Sequence, residues 1–494
     1  MITWGISANS HDAAIAVFDN SQLVFASHSE RFSGKKNDPD LCDSIVNYAN
    51  RWGKPNEIVW YEKPLYKTAR QWFAGQGFNH RSNNVKRYLN KWNISAPIST
   101  VIHHESHAAG GFYTSGYKEA AVVVIDAIGE FETLTIWQGS EQGLKRVYSQ
   151  SYPNSLGLWY SAMTQRCFLK PNEEEYILMG MAAYGDPNKL YDRIRNDFFD
   201  DNSNKLVALK RNLHRGCRDW APDLTVNDIF DIAAATQHVY ETYFNRIVSK
   251  AKALTGSVNL VVMGGCALNC SANPIAFKHF KNVWIMPNPG DAGSSIGAVL
   301  AKTQTQIPWL GCDLGYNLKI KTAPDQIVDH LLTDSICGVA QGRAEFGPRA
   351  FGNRSLLADP RGNDIKDTVN AIKKRQQFRP FAPVILEEMA DNYFDLCGNS
   401  SDHRYMQYIS RCRHPDLFPA IVHRDGTSRV QTVPQNGTPI RRLLEEWYVM
   451  TGCPMLLNTS LNIKGKPMVN NRVDALNFES HYGVKVLLNT QENI

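Results

Sequence analysis

Apolar residues along this chain come in short blocks closed by polar or small residues, not in one sustained period. "ITWGISA", "DAAIAVFDN" and "LVFASHSERF" follow each other with turn residues between them, predicting a β-meander at the start of an α/β domain. The block "AAVVVIDAIGEFETLTIWQG" predicts two more strands flanking a polar turn. "GISANSHDAA" and "VVIDAIGEFETL" therefore look like two versions of one device, an apolar strand ending in polar and small residues at a tight turn. "VNLVVMGGCALN" reads as a buried strand running into a Gly-Gly turn, and "VWIMPNPGDAGSSIGAVLA" as a strand, a Gly/Asp loop and a helix. Two hairpin loops, a Gly-Gly loop and intervening helices, in this order, are the parts of the actin/Hsp70-like (ASKHA) ATPase fold, in which small residues let the backbone approach phosphates. "TQIPWLGCDLGYN" predicts a linker, dividing the chain into domains 1–312 and 313–494. No internal repeat of solenoid period is visible.

Composition narrows the class. At 494 residues, with 43% hydrophobic and 20% charged, the chain is that of an ordinary globular enzyme of two or three domains. No apolar run reaches the roughly 20 residues of a membrane helix. The N-terminus reads as a first strand rather than a signal peptide. Ten scattered cysteines with no CxxC pair predict a reducing, cytoplasmic setting. The net charge of +5 is mild overall. Locally it is not: residues 51–92 hold nine Lys/Arg against two Asp/Glu, with nine aromatics interleaved. A pair of solvated amphipathic helices with aromatic core faces is the plain expectation. An anion-binding surface, including Lys86, Arg87 and Lys91, is the sharper one.

Chemistry concentrates at four places. In "VIHHESHAAGGFY", His103 and His107 are spaced to share one helix face, with His104 and His107 as the alternative pair. Asp126 at a strand end and Asp291 in "NPGDAGSS" supply carboxylates, although a turn residue and a helix N-cap are their ordinary uses. Two imidazoles and two carboxylates suit Fe or Mn, and Zn less well. His11, at the first turn, has a pKa range suited to a general base. Farther on, Arg343, Arg349, Arg354, Arg361, Lys373, Arg375 and Arg379 alternate with Gly, Pro and Phe, predicting a shaped pocket for a phosphate-bearing molecule rather than only a solvated basic face. Asn458, Thr459, Ser460 and Asn462 offer neutral donors at a strand end.

The motifs "SHDAA", "HHESHAAGGFY", "YILMGMAAYG", "GGCALNC", "PGDAGSSIGA", "RAEFGPRAFGNRSLLADPR", "FRPFAP" and "LNTSLN", in that order, resemble O-carbamoyltransferases of the NodU/CmcH type over nearly the whole chain. The resemblance implies an N-terminal ASKHA domain and a C-terminal YrdC-like α/β domain. The C-terminal domain would make carbamoyl-AMP from carbamoyl phosphate and Mg-ATP, and the N-terminal domain would pass the carbamoyl group to an acceptor hydroxyl. It implies a divalent metal, iron first with Mn or Zn as alternatives, on His103, His107, Asp126 and Asp291. It further implies His11 as base, with Asp12 positioning the acceptor or the carbamoyl group. Arg349, Lys373 and Arg379 would grip carbamoyl phosphate, with Arg354 and Arg375 nearby. Gly264, Gly265, Asn269, Gly290, Asn458 and Ser460 would line nucleotide. Cys266, Gln376, and Tyr176 with Ile177 depart from the family's usual residues. The basic, aromatic segment favours an anionic or base-containing acceptor, first a hydroxymethylated base such as 5-hydroxymethylcytosine in DNA or a nucleotide. Alternatives are a natural-product or oligosaccharide hydroxyl, threonylcarbamoyl-type transfer to tRNA, a kinase, and a non-catalytic nucleic-acid-binding module.

Overall fold

A computed structural model describes residues 1–309 and 311–488. It divides into two compact units, one of Met1–Ser29 and Pro39–Trp309, the other of Glu30–Asp38 and Leu310–Ile494.

The first unit contains the same sheet twice. Strands β1 (Ile2–Ser7), β2 (Ala14–Asp19), β3 (Gln22–His28), β4 (Glu57–Trp60) and β5 (Ile98–Thr100) are ordered β3-β2-β1-β4-β5. β1, β2 and β3 form the antiparallel meander, and β4 and β5 are added parallel to β1. Strands β6 (Ala120–Gly129), β7 (Glu132–Ser140), β8 (Gly143–Ser151), β9 (Asn259–Met263) and β10 (Asn282–Trp284) repeat this arrangement as β10-β9-β6-β7-β8. Again a meander is followed by two parallel strands. This duplicated meander-plus-crossover sheet is the ASKHA ATPase topology. The repeated strand-and-turn device in the sequence is its visible trace. β1 and β6 are nearly solid apolar runs because both are central strands covered on both faces.

Between β5 and β6 lies the helix His103–Phe112, and after β10 lies the helix Ser294–Thr303. Both are rich in Ala, Gly and Ser, and their crossing uses this. A Cβ on Gly297 would sit 1.8 Å from the Ser106 carbonyl oxygen, so only glycine permits the approach.

The second unit is also α/β. Its largest sheet has six strands, in the order Gln431–Val433, Ala382–Leu386, Met455–Ser460, Arg354–Ala358, Ile336–Ala340 and Val486–Leu487. Pairings are mixed, with the three central contacts antiparallel and both edge contacts parallel. Its core includes Leu356, Leu357, Ile385, Leu444, Trp447 and Leu456.

The segment 51–92 departs from the plain expectation. The helix Val85–Asn90 buries Val85, Tyr88 and Leu89 and exposes Lys86, Arg87 and Lys91 as an amphipathic helix should. The helix Pro64–Phe73 is inverted: Lys67, Thr68 and Arg70 are buried, while Leu65, Tyr66, Trp72 and Phe73 are exposed. Its polar face has partners inside the unit. The Lys67 ammonium donates to the Asn9 carbonyl at 2.7 Å and to Glu62 at 2.8 Å. Arg70 Nε donates to the Glu130 carbonyl at 3.2 Å.

Candidate functional site

Four side chains from three separate parts of the first unit converge. His103 and His107 come from the first two turns of their helix, Asp126 from β6, and Asp291 from the loop before Ser294–Thr303. Their donor atoms all lie within 4.8 Å of one another. The two Nε2 atoms are 3.1 Å apart. Asp126 Oδ2 is 3.2 Å from His103 Nε2 and 3.7 Å from His107 Nε2, while Asp291 Oδ1 is 3.5 and 3.4 Å from the same atoms.

The surroundings aim these groups. His107 Nδ1 faces the Pro289 carbonyl at 3.1 Å, and a proton donated there leaves an Nε2 lone pair toward the cluster. Asp126 Oδ1 accepts from the amides of Ala127 at 2.9 Å and Gly265 at 3.3 Å, leaving Oδ2 for the histidines. Gly264 has φ +89°, and a Cβ there would meet the Ile125 carbonyl oxygen at 2.2 Å. The Gly-Gly turn can therefore approach β6 and donate to Asp126. His104 turns away, with Nδ1 2.9 Å from the Thr135 hydroxyl, so the i, i+4 pair forms the cluster.

Charge follows from burial and neighbours. Burial disfavours protonated His103, yet the Asp126 hydrogen bond and the charges of Asp291 and Asp126 outweigh it, raising His103 to about 9. Burial alone would push the Asp126 carboxyl up; the His103 hydrogen bond and the histidine charges instead hold it well below the usual carboxylate range. Two buried imidazoles whose Nε2 atoms face two carboxylates fit a divalent cation of the Fe or Mn type, which would take the place of the His103 proton. These four residues would hold it.

His11 and Asp12 lie in the β1–β2 turn. His11 Nδ1 is 3.1 Å from Asp12 Oδ2, and Nε2 is 3.1 Å from the Asn172 carbonyl. Burial opposes the charge, but the Asp12 hydrogen bond and charge, the Asp291 charge and the Asn172 carbonyl raise the imidazole to about 9. With acceptors at both nitrogens, this imidazole is protonated at neutral pH.

Of the residues expected at nucleotide, Gly264, Gly265 and Gly290 lie in the loops bordering the cluster. No side chain or backbone lies within 4 Å of a Cβ built on Gly290, leaving open space there. The Asn269 amide pairs reciprocally with Gln237 at 3.0 Å in each direction, so its polar atoms serve the protein.

In the second unit, a cavity of about 80 Å³ is lined by Arg349, Arg375, Arg379, Arg429 and the run Asn458–Ser460. Arg349, Arg375 and Arg379 were expected from the sequence, as were Asn458 and Ser460. Arg429 was missed because "DGTSRVQT" carries a lone cation between turn residues and a short strand. Arg354 and Lys373 are not among the lining residues. The Arg354 guanidinium is completely buried, donating to the carbonyls of Gln341, Asn353, Tyr316 and Asn470. It ties the start of its own strand to the carbonyls at Tyr316, Gln341 and Asn470. The Lys373 ammonium donates to the Ser460 and Asn462 carbonyls and to Asn462 Oδ1, at 2.5, 2.9 and 3.0 Å. Burial, Arg375 and Arg379 all depress its pKa. Lys373 thus fixes the Asn458–Ser460 edge rather than presenting a free cation to the cavity.

The first unit thus holds a duplicated ATPase-type sheet with a His2Asp2 cluster, and the second α/β unit holds an arginine-lined cavity. Comparison with known proteins specifies the family. Residues 59–300 match the family described as "Carbamoyltransferase N-terminus", and residues 328–493 match "Carbamoyltransferase C-terminus". An uncharacterized Synechocystis protein is 32% identical over 95% of this chain and 93% of its own length. Nodulation protein NolO of Bradyrhizobium diazoefficiens is 33% identical over 76% of this chain and 75% of its own. The 3'-hydroxymethylcephem-O-carbamoyltransferase of Amycolatopsis lactamdurans is 26% identical over 96% and 95%. The HypF crystal structure from T. kodakarensis superposes with a TM-score of 0.38 at 12% identity, covering 61% of this chain and 47% of that one. That likeness carries no weight beside the strand order. The chain belongs to the NodU/CmcH-type O-carbamoyltransferase family, and it is an enzyme.

Among the described residues, no helix is long and apolar enough to cross a membrane. All ten cysteines are free thiols.

Proposed function

We propose that this enzyme makes carbamoyl-AMP in residues 313–494 and transfers the carbamoyl group to an acceptor hydroxyl in residues 1–312, in the cytoplasm. The arginine-lined cavity is the observation that carries the first half. Arg349, Arg375, Arg379 and Arg429 surround a space of about 80 Å³. Such a concentration of guanidinium groups suits an anionic occupant, because each planar fork can offer paired N–H donors to phosphate oxygens. Carbamoyl phosphate is small and dianionic, and it suits the space. Carbamoyl phosphate, ATP and water would give carbamoyl-AMP, phosphate and pyrophosphate; Mg-ATP is the cosubstrate. Asn458, Thr459 and Ser460 would orient the nucleotide or the carbamoyl group through neutral donors.

In the second half, the acceptor oxygen attacks the carbamoyl carbon, AMP leaves, and the neutral form of His11 takes the hydroxyl proton. Asp12, bonded to Nδ1, orients the ring so that Nε2 meets the acceptor in place of the Asn172 carbonyl. The loops of Gly264, Gly265 and Gly290 would border the nucleotide; open space lies at Gly290, whereas the Gly264 amide already donates to the Pro289 carbonyl and the Gly265 amide to Asp126. A cation on His103, His107, Asp126 and Asp291, iron by donor type, would supply Lewis-acid stabilisation of phosphate or carbonyl charge. We read the acceptor as a hydroxymethylated base, 5-hydroxymethylcytosine in DNA or a nucleotide first. The supporting feature is the basic, aromatic segment around Lys86, Arg87 and Lys91. A small-molecule hydroxyl is the second reading, favoured by the name of the cephem-modifying relative.

The test is incubation with carbamoyl phosphate and ATP across hydroxymethylcytosine DNA, the nucleotide and a sugar panel, read by mass. Pyrophosphate release that requires carbamoyl phosphate, with carbamate on the base, is expected. Release without carbamoyl phosphate would sink the assignment of the cavity.

A further inference from the structure

The mechanism leaves one feature unused, the inverted helix Pro64–Phe73. Soluble helices bury their apolar face; this one buries cations and shows its rings to solvent. Trp72 is 69% exposed and Phe73 68%, and Phe78 in the following turn is 72% exposed. The helix is fixed in this orientation from below. Lys67 ties it to Asn9 of the turn that carries His11, and Arg70 ties it to Glu130 of the β6–β7 turn. The helix therefore lies against both hairpin turns with its rings on the outer face, and Phe73 stands 6.3 Å from the Phe131 ring of the β6–β7 turn.

Charge surrounds them with one sign. From Lys63 to His104 the chain has seven Lys/Arg and no Asp/Glu. Lys63, Lys67 and Arg70 have oxygen partners inside the unit. Arg81, Lys86, Arg87 and Lys91 are exposed, and none has an acidic partner among the described residues. A second segment extends this field. Residues 202–218 contain five exposed Lys/Arg and no Asp/Glu. The two segments meet at Gln76, which accepts from Arg70 at 2.6 Å and lies 2.8 Å from His214 Nε2.

We propose that these rings and the cations of 81–91 and 205–218 form one binding track for single-stranded nucleic acid, leading to the transfer site. The inference rests on the nucleic-acid acceptor proposed above. Rings offer stacking faces to unpaired bases, and flanking cations take the phosphates. An anionic membrane would also attract the cations, but three of the four exposed apolar side chains on this ten-residue helix are rings, and its buried face is polar. A neutral oligosaccharide could stack on the rings, but it leaves the cations without a role.

The test is equilibrium binding of a fluorescent single-stranded oligonucleotide that lacks hydroxymethyl groups, measured against salt. Four phosphate contacts predict a log–log salt slope of about −3. Trp72→Ala should weaken binding about tenfold, Trp72→Phe should restore most of it, and Lys86→Glu with Arg87→Glu should flatten the slope. Unchanged melting temperatures keep these readings free of folding effects. Salt-independent binding, stronger binding to anionic vesicles or oligosaccharide than to the strand, or self-association abolished by Trp72→Ala would each overturn the track. So would wild-type protein that releases pyrophosphate from carbamoyl phosphate and ATP yet ignores the strand. Strand binding without any pyrophosphate release would keep the track and sink the enzymatic reading instead.

Discussion

Gly297→Ala should dismantle the proposed metal site of His103, His107, Asp126 and Asp291 without touching any of these residues. The added Cβ would stand 1.8 Å from the Ser106 carbonyl oxygen and 3.0 Å from the Gly110 nitrogen, both backbone atoms that no rotamer change can move. An ordinary C···O contact is about 3.3 Å, so the helices His103–Phe112 and Ser294–Thr303 must part by about 1.5 Å. Three of the four donors ride on or next to these helices: His103 and His107 on one, Asp291 just before the other. Metal–ligand distances must hold within about 0.2 Å, far less than the forced movement. Loss of a mere outer partner already lowers affinity about 10–100-fold, and this displacement should cost at least the upper figure. Overpacking adds about 1–3 kcal/mol of destabilisation. The assay is metal stoichiometry and affinity by competition with a chelator, alongside thermal melting. Gly180→Ala is the comparator, since no atom lies within 4 Å of its added Cβ. It should leave both readouts at wild type or slightly raise stability. Wild-type metal affinity in a folded Gly297→Ala protein would refute the claim that this crossing sets the cluster.

Other consequences are direct. Arg379→Ala should cut carbamoyl-phosphate-dependent pyrophosphate release at least about tenfold, since a hydrogen bond to a charged group contributes about 1.5–3 kcal/mol; full activity would remove Arg379 from the site. His107→Ala should release the metal and stop transfer while pyrophosphate release continues, and equal loss of both in a folded protein would join the two sites. Below a pKa of about 9, His11 carries a proton and cannot act as base, so transfer should rise with pH toward 9. Asp12→Asn removes the chief group holding that proton and should move the rise to lower pH, whereas an unmoved profile would exclude the pair from proton transfer.

The strand-and-turn blocks of the first unit were legible because each central strand is a continuous apolar run ended by small residues. The duplication showed in two of these blocks. The whole five-stranded order did not, since β4, β5 and β10 are only three or four residues long. The His2Asp2 residues were readable because their types and turn positions are distinctive, but the choice of His103 over His104 depended on helix orientation. Sequence reports the charge of Arg354 and Lys373 but not the carbonyls that each one meets in the fold. The pairing of Asn269 with Gln237 was likewise invisible in the sequence. The inverted helix was unreadable for a related reason. Its ring spacing gives a regular apolar stripe, and only the partners of Lys67 and Arg70 reveal which face is inside.

The most direct test of the account is to supply isotopically labelled carbamoyl phosphate with ATP and a hydroxymethylcytosine-containing strand, and to follow the label by mass spectrometry. The account predicts label on the hydroxymethyl oxygen together with AMP, phosphate and pyrophosphate, and no label when ATP is omitted. Carbamoylated strand formed without ATP, or ATP cleaved to ADP rather than AMP, would contradict it.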